Sequence, residues 1–230
     1  MQTAIILNGR ILPEKYSGLK SDLLYLGSEF CQNLLPGPAQ FGRALETFKK
    51  PVILATPFLT DSSFPDIEAI IRKYGTRKNK LEIVANDLGL IHLVTEKYAA
   101  KVRVSLGRVL GDFLKSAPDA FLEKFLAANG ITRIEADSAE LLARYSAFKG
   151  LSFSSHFPYA HVSVTRYCPW EEHWTGEKCG HACLGKSKEL ASARLRLPLR
   201  LISCGYFVDG GKLPRSFKPD RTVYSLPVGA

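Results

Sequence analysis

Residues 81–106 of this 230-residue chain read LEIVANDLGLIHLVTEKYAAKVRVSL, and this stretch decides the fold. A short apolar run over residues 81–85 ends at the polar and glycine-containing segment 86–89. A short helical pattern follows through Val94, and a second apolar run covers residues 100–106. A strand, a helix and a strand with short connections predict two parallel strands joined by a crossover helix.

The same alternation extends along most of the chain. Further apolar runs predict strands over residues 4–7, 22–27, 51–56, 132–136 and 151–153. Apolar residues at helical spacing predict helices over residues 39–48, 65–74, 118–127 and 139–145. Repeated strand–helix units are typical of a parallel sheet covered by helices. No Gly-x-Gly-x-x-Gly follows the first strand, which disfavours a dinucleotide-binding fold.

Chemically distinctive residues follow several predicted strands, namely Cys31, Asp87, Arg108 and Asp137. In a (β/α) barrel such positions all face one end, where active sites are built. Closure of a barrel would also bring the first and last units side by side, and so carry Cys31 towards the cysteines late in the chain. We therefore predict one α/β domain over residues 1–230, a (β/α) barrel-like fold rather than an open sheet.

The pattern changes after Cys183. Residues 195–202 resemble a strand, but the tail from Gly210 onward is rich in proline and basic residues. We expect this tail to be irregular. That expectation leaves open an incomplete or distorted barrel that lacks a final strand or helix.

The composition indicates a cytoplasmic protein. Hydrophobic residues make up 46% of the chain, which is enough for a sizeable core. The N-terminus lacks the basic region and long apolar run of a signal peptide. No stretch approaches the roughly 18 apolar residues of a membrane span. In the cytoplasm, clustered cysteines bind metals more often than they form disulfides.

The net charge is +9, and basic residues concentrate within residues 72–80, 186–200 and 212–221. One interpretation is a surface for RNA or another acidic partner. The other is a set of solvated faces and loops, which the lack of an RNA-binding motif favours.

An irregular loop over residues 168–183 contains three of the five cysteines, Cys168, Cys179 and Cys183. With Cys31 as a fourth ligand, these thiolates suit either zinc or an iron–sulfur cluster. Cys31 is distant in sequence, Cys168 is isolated, and Cys179 and Cys183 form a pair. This arrangement fits an iron–sulfur cluster at least as well as a zinc knuckle.

Three other residues in this part of the chain have open roles. His173 and His181 are alternative ligands or solvent-facing polar residues. Cys204 follows an apolar run and is interpreted as a buried thiol at the end of a strand.

Two hydrolase mechanisms have only weak support in the sequence. A serine hydrolase is disfavoured because the chain has no Gly-x-Ser-x-Gly. A cysteine protease would use Cys31 as nucleophile and His156 or His161 as base. That mechanism leaves the other clustered cysteines unexplained.

Three segments carry a family resemblance. They are Leu24-Tyr-Leu-Gly27 followed by Cys31, then Ala85-Asn-Asp-Leu-Gly89, and then Cys168-x10-Cys179-x3-Cys183. Together they resemble the UbiV/UbiU-like proteins of the collagenase-like peptidase family, number thirty-two of the unknown-type peptidases.

The resemblance implies a (β/α) barrel with a [4Fe–4S] cluster on Cys31, Cys168, Cys179 and Cys183. It implies a part in oxygen-independent hydroxylation, as in anaerobic ubiquinone biosynthesis, and a UbiU-like homologue as heterodimer partner. Relatives in the family hydroxylate RNA bases, and others are described as collagenase-like peptidases.

Three residues are candidates for catalytic roles. Asp87 and Arg108 lie at predicted strand ends, and the segment Tyr159-Ala-His161 is similar to one that precedes the family's late cysteines. A zinc-stabilised RNA-binding module, an RNA-base hydroxylation factor and a peptidase stay as alternative functions.

Overall fold

The computed structural model describes residues 1–10, 13–16, 18–210 and 217–225, and these residues form twelve strands and six α-helices. The strands are β1 (Gln2–Leu7), β2 (Leu23–Gly27), β3 (Val52–Ala55), β4 (Leu81–Ala85), β5 (Val102–Leu106), β6 (Arg133–Ala136), β7 (Ser152–Phe157), β8 (Tyr159–Val164), β9 (Lys188–Leu190), β10 (Leu199–Ile202), β11 (Gly205–Asp209) and β12 (Arg221–Ser225). The helices are α1 (Pro38–Phe48), α2 (Phe64–Tyr74), α3 (Leu88–Tyr98), α4 (Arg108–Leu114), α5 (Asp119–Ala128) and α6 (Ala139–Ser146).

Eight of the strands form a closed barrel in the order β1-β12-β7-β6-β5-β4-β3-β2. Every neighbouring pair in the barrel is parallel. The predicted α/β barrel is therefore confirmed. The carboxyl ends of all eight strands face the same end of the ring, as such barrels require.

The strand that closes the ring comes from the tail. β12 lies between β1 and β7, with Gln2 opposite Arg221 and His156 opposite Val223. The expectation of an irregular tail was wrong at this point, and the barrel lacks no strand. The part of the third basic group at residues 212–216 lies outside the described residues.

Side chains alternate between the inside of the barrel and the helical layer outside it. On β2, Tyr25 points inwards, while Leu24 and Leu26 belong to the large apolar cluster under the helices. The same outer cluster includes Ile70 of α2 and Leu90 of α3. Most of the apolar core thus lies between the barrel and its helices.

The inside of the barrel is unusually polar. The Tyr25 hydroxyl donates to Glu135 Oε2 at 3.1 Å, and His156 Nε2 lies 2.7 Å from the same oxygen. Nη1 of Arg221 donates to the Tyr25 hydroxyl at 2.7 Å and to Glu82 Oε1 at 2.7 Å. These groups lose their water on folding, so each depends on a partner from another strand.

A second, antiparallel sheet has the order β8-β11-β10-β9 and is inserted between β7 and β12. It lies at the carboxyl end of the barrel, since the Phe30 ring after β2 packs on Phe207 of β11 with centroids 4.8 Å apart. The cysteine-containing loop connects β8 to β9. Strands β8, β9 and β11 and helix α4 were not predicted. β10 begins four residues after the start of the predicted strand over residues 195–202, and β7 extends beyond the predicted residues 151–153.

Within the described ranges, no helix combines the length and the apolar character that crossing a membrane requires.

Replacing Val223 by Ala should lower the free energy of unfolding by about 1–2 kcal/mol, because Val223 is fully buried inside the barrel and its methyl groups leave a cavity. Urea denaturation measures the change. The matched control is Tyr224→Phe, since the neighbouring Tyr224 faces outwards and is 47% exposed. An unchanged stability for Val223→Ala would show that β12 does not seal the barrel.

Candidate metal centre

All five cysteines emerge at the carboxyl end of the barrel. Cys31 lies four residues after β2, directly before a short 3-10 helix over Gln32–Leu34. Cys168, Cys179 and Cys183 lie in the loop between β8 and β9. Cys204 lies in the two-residue turn between β10 and β11.

Four of these cysteines form one buried cluster. Their exposed fractions are 5% for Cys31, 4% for Cys168, 9% for Cys183 and 1% for Cys204. Leu34 belongs to the same cluster, and Trp170 and Leu184 pack against it. The structure thus brings Cys31 beside the late cysteines and adds Cys204 to them.

Cys179 occupies a different position. It is half-buried, it lies outside that cluster, and its Sγ accepts a hydrogen bond from the His181 amide at 3.3 Å. Of the four cysteines expected to act together, Cys179 is therefore the most peripheral.

Main-chain contacts tie the cysteine segments together. The Thr165 amide donates to the Cys204 carbonyl at 2.9 Å, and the Cys168 amide donates to the His173 carbonyl at 2.7 Å. The Trp170 indole donates to the Ser203 carbonyl at 2.7 Å. These bonds fix the start of the loop to the β10–β11 turn.

The thiols strongly influence one another. A hydrogen bond from Cys204 lowers the pKa of Cys31, with burial opposing it and the amides of Asn33 and Leu34 assisting. The same bond, together with burial, raises the pKa of Cys204. Burial and the neighbouring cysteines raise the pKa of Cys183 to about 12. A cation bound among these sulfur atoms would favour their thiolate forms.

The donor set fits a thiolate-bound metal group. Sulfur ligands in an apolar pocket suit zinc or an iron–sulfur cluster rather than magnesium or calcium, which prefer oxygen. Leu34, Trp170 and Leu184 supply the apolar shell.

A second group of possible ligands lies at the edge of the loop. One donor atom from each of Glu171, His173 and Cys179 lies within 4.8 Å of the other two. His173 Nδ1 lies 2.9 Å from the Trp174 carbonyl oxygen, and His173 Nε2 lies 3.6 Å from Glu171 Oε2. His181, the other loop histidine, places Nε2 3.1 Å from the Asn33 carbonyl oxygen instead.

A pocket of about 170 Å³ opens beside the thiols at the carboxyl end of the barrel. Its lining includes Glu29, Phe30, Arg108, Cys183, Lys186 and Phe207. Since Cys183 belongs both to this lining and to the thiol cluster, a molecule in the pocket would lie next to the cysteines.

Arg108 is buried between two carboxylates. Its Nε donates to Glu29 Oε1 at 2.8 Å, and its Nη1 donates to Asp137 Oδ2 at 3.2 Å. Burial alone would raise the pKa of Glu29, but the Arg108 charge and hydrogen bonds outweigh burial and lower it to about 2. Glu29 is therefore ionised, and the ion pair forms a rigid polar wall of the pocket.

The other two candidate catalytic residues lie outside the pocket lining. Asp87 caps α3, since its Oδ1 accepts from the Leu90 amide at 3.0 Å and its Oδ2 accepts from the Leu59 amide at 3.1 Å. The His161 amide donates to Asp137 at 2.9 Å, and its ring packs on Phe30. Burial is the main cause that lowers the pKa of His161.

The hydrogen bonds of the Cys31 sulfur come from Cys204 and the amides of Asn33 and Leu34. His156 instead lies inside the barrel with its Nε2 against Glu135. Neither His156 nor His161, the two bases named for a protease mechanism, is therefore described in contact with Cys31; the imidazole whose charge acts on Cys31 is that of His173, which assists the Cys204 hydrogen bond in lowering the Cys31 pKa.

Part of the basic charge lies at the opposite end of the barrel. Lys78 and Lys80 precede β4 and line a pocket of about 690 Å³ with Arg103, Arg133 and Arg221. Any acidic partner of this surface would bind far from the thiols.

Sequence reasoning missed Glu29 and assigned no ligand role to Cys204. Glu29 lies two residues after the end of β2 and two residues before Cys31, a position that marks it as a barrel-end residue. Its charge pairing with Arg108 connects residues 79 positions apart, and no local pattern indicates such a contact.

The sequence matches no protein-family model and no curated protein sequence.

Lowering the pH from about 5 to about 2 should remove up to about 3 kcal/mol of stability that depends on Glu29. Its folded-state pKa is depressed, so this contribution is full above the unfolded-state pKa of about 4.5 and is lost as the pH falls through about 2. Urea denaturation across this range should show a smaller loss for Glu29→Gln than for the wild type. Glu96→Gln, on an exposed part of α3, controls for removal of one carboxylate. Identical pH profiles for Glu29→Gln and wild type would contradict the assignment.

Proposed function

We propose that the protein is a [4Fe–4S] component of an oxygen-independent hydroxylation system, similar to the UbiV/UbiU-like proteins. The observation that carries this proposal is the buried cluster of thiols beside a pocket at the carboxyl end of the barrel. Carboxyl ends of barrel strands are where such folds place reacting groups. The sequence motifs around Cys31 and the cysteine loop support the same family.

Four of the five cysteines would hold the cluster. The set indicated by the sequence is Cys31, Cys168, Cys179 and Cys183, and Cys204 is the further thiol available. A [4Fe–4S] cluster with four cysteine ligands supplies electron transfer and leaves no iron open for substrate.

The residues around the thiols would exclude water from the cluster and bind the substrate. Leu34, Trp170 and Leu184 keep water from the sulfur atoms, which favours retention of a thiolate-bound group. On the pocket side, Arg108 fixes the ionised Glu29, and Lys186 provides a cation for an acidic group of a substrate.

The substrate and partner follow from the resemblance. We propose a ubiquinone precursor or an RNA base as the hydroxylated molecule, and a UbiU-like homologue as the second subunit, all in the cytoplasm. Exposed apolar side chains near the second sheet, including Trp174 and Leu197, would suit a partner surface.

Anaerobically purified wild-type protein should be brown and contain close to four iron and four sulfide ions per chain. Cys31→Ala should lose at least four-fifths of both, because Cys31 lies in the buried cluster and anchors it to β2. Iron and sulfide analysis with visible absorption measures the loss. Ser163→Ala, at an exposed position of β8, is the control.

A colourless wild-type protein that contains zinc but no iron or sulfide would refute the cluster and favour the zinc-stabilised module. That module is the second candidate because the Glu171, His173 and Cys179 donors converge. It would require RNA affinity that falls steeply with salt.

A further inference from the structure

We propose that the five cysteines divide between two metal sites. Cys31, Cys168, Cys183 and Cys204 hold the cluster, and Cys179 joins Glu171 and His173 in a separate site for a zinc-like divalent cation. The first assignment rests on the proposed function, whereas the second does not.

Cys204 and Cys179 differ in how deeply they are buried. Cys204 is the most deeply buried of the five cysteines at 1% exposure, and it lies in the same buried cluster as Cys31. Its electrostatic neighbours are the other three cysteines of the buried cluster, Cys31, Cys168 and Cys183. Cys179 also has Cys31 and Cys183 among its electrostatic neighbours, but it is only half-buried, lies outside the buried cluster and converges with Glu171 and His173 at the edge of the loop.

The turn that carries Cys204 is held firmly against the cysteine loop. The Cys204 carbonyl accepts from Thr165, and the preceding Ser203 carbonyl accepts from the Trp170 indole. Trp170 lies two residues after Cys168, so both thiols belong to one rigid unit. A thiol fixed in this way needs little reorganisation to bind a metal.

His173 is oriented as a metal ligand. A carbonyl oxygen can only accept, so the 2.9 Å contact with Trp174 places the imidazole proton on Nδ1. The lone pair then lies on Nε2, which is buried and has no hydrogen-bond partner among the residues the structure describes. Metal-binding histidines commonly show this pairing of one nitrogen with a carbonyl and the other with the metal.

Glu171 is also held in place. Its Oε2 accepts from the Gly180 amide at 2.7 Å, and its Oε1 accepts from the Ala182 amide at 2.5 Å. These two amides flank His181, whose own amide donates to Cys179 Sγ. The short segment after Cys179 therefore positions the carboxylate and the sulfur together.

The donors define the class of metal. Sulfur, imidazole nitrogen and carboxylate oxygen together suit zinc or cobalt, while a cubane cluster takes thiolates. Tetrahedral zinc brings its ligand atoms to roughly 3.5 Å from one another. The donors here lie within 4.8 Å, so small side-chain rotations suffice. Binding would release the Cys179 thiol proton to solvent and leave a fourth position for water.

Elemental analysis of full-length protein, purified anaerobically with zinc present, tests the division. Cys204→Ala should lose at least four-fifths of its iron and sulfide and keep its zinc. Cys179→Ala and His173→Gln should keep iron and sulfide and lose about one zinc per chain. His181→Gln, which alters the loop's other histidine, should keep both metals.

The outcomes separate this inference from the proposed function. Iron lost in Cys179→Ala and kept in Cys204→Ala would overturn the division while leaving the cluster in place. A wild type without iron or sulfide would remove the proposed function and with it the cluster half of the division. Loss of zinc in both Cys179→Ala and His173→Gln would still support the second site, and retention of zinc would refute it.

A cobalt titration provides a readout that does not depend on the cluster. Binding of Co²⁺ at Cys179 should produce a thiolate-to-cobalt charge-transfer band in Cys204→Ala but not in Cys179→Ala. Circular dichroism verifies that each variant is folded, and Cys204→Ser replaces Cys204→Ala if the latter is not. A band of equal strength in both variants would exclude Cys179 as the ligand.

Discussion

The fold depends on the pairing of a strand from the end of the chain with the strand at its beginning. β12 forms parallel ladders with β1 on one side and β7 on the other, so the ring has no free edge. The inserted sheet must therefore leave β7 at the carboxyl end and return to β12 at the amino end. This path holds the β10–β11 turn over the loop after β2, and the thiols of Cys31 and Cys204 meet there.

The carboxyl end is organised by buried charge. Arg108 at the start of α4 connects Glu29, after β2, with Asp137, after β6. Desolvation offsets much of the attraction in a buried ion pair, so a gain in the free energy of unfolding does not by itself explain why the pair is present. Here the pair fixes three barrel loops relative to β8, because Asp137 also accepts the His161 amide. The pocket wall is consequently rigid.

Hydrophobic periodicity was sufficient to predict the barrel, because each strand–helix unit has its pattern in contiguous residues. The approach of Cys31 to the late cysteines followed from closure alone. β12 could not be predicted, since the buried Arg221 finds its partners Tyr25 and Glu82 on remote strands across the barrel. The place of Cys204 in the thiol cluster could not be predicted either, because its neighbours in space are remote in sequence. Local patterns cannot reveal such tertiary contacts.

The placement of the thiols has a consequence for synthesis of the protein. Cys31 is translated well before Cys204 and before β12, the strand that closes the ring. The buried thiol cluster therefore cannot assemble until the chain has been synthesised through Cys204. All five cysteines precede β12 in the chain, so the ring closes only after every thiol of the cluster has been synthesised. Gathering of the thiols is therefore coupled to a late step of folding rather than to the folding of any one strand–helix unit.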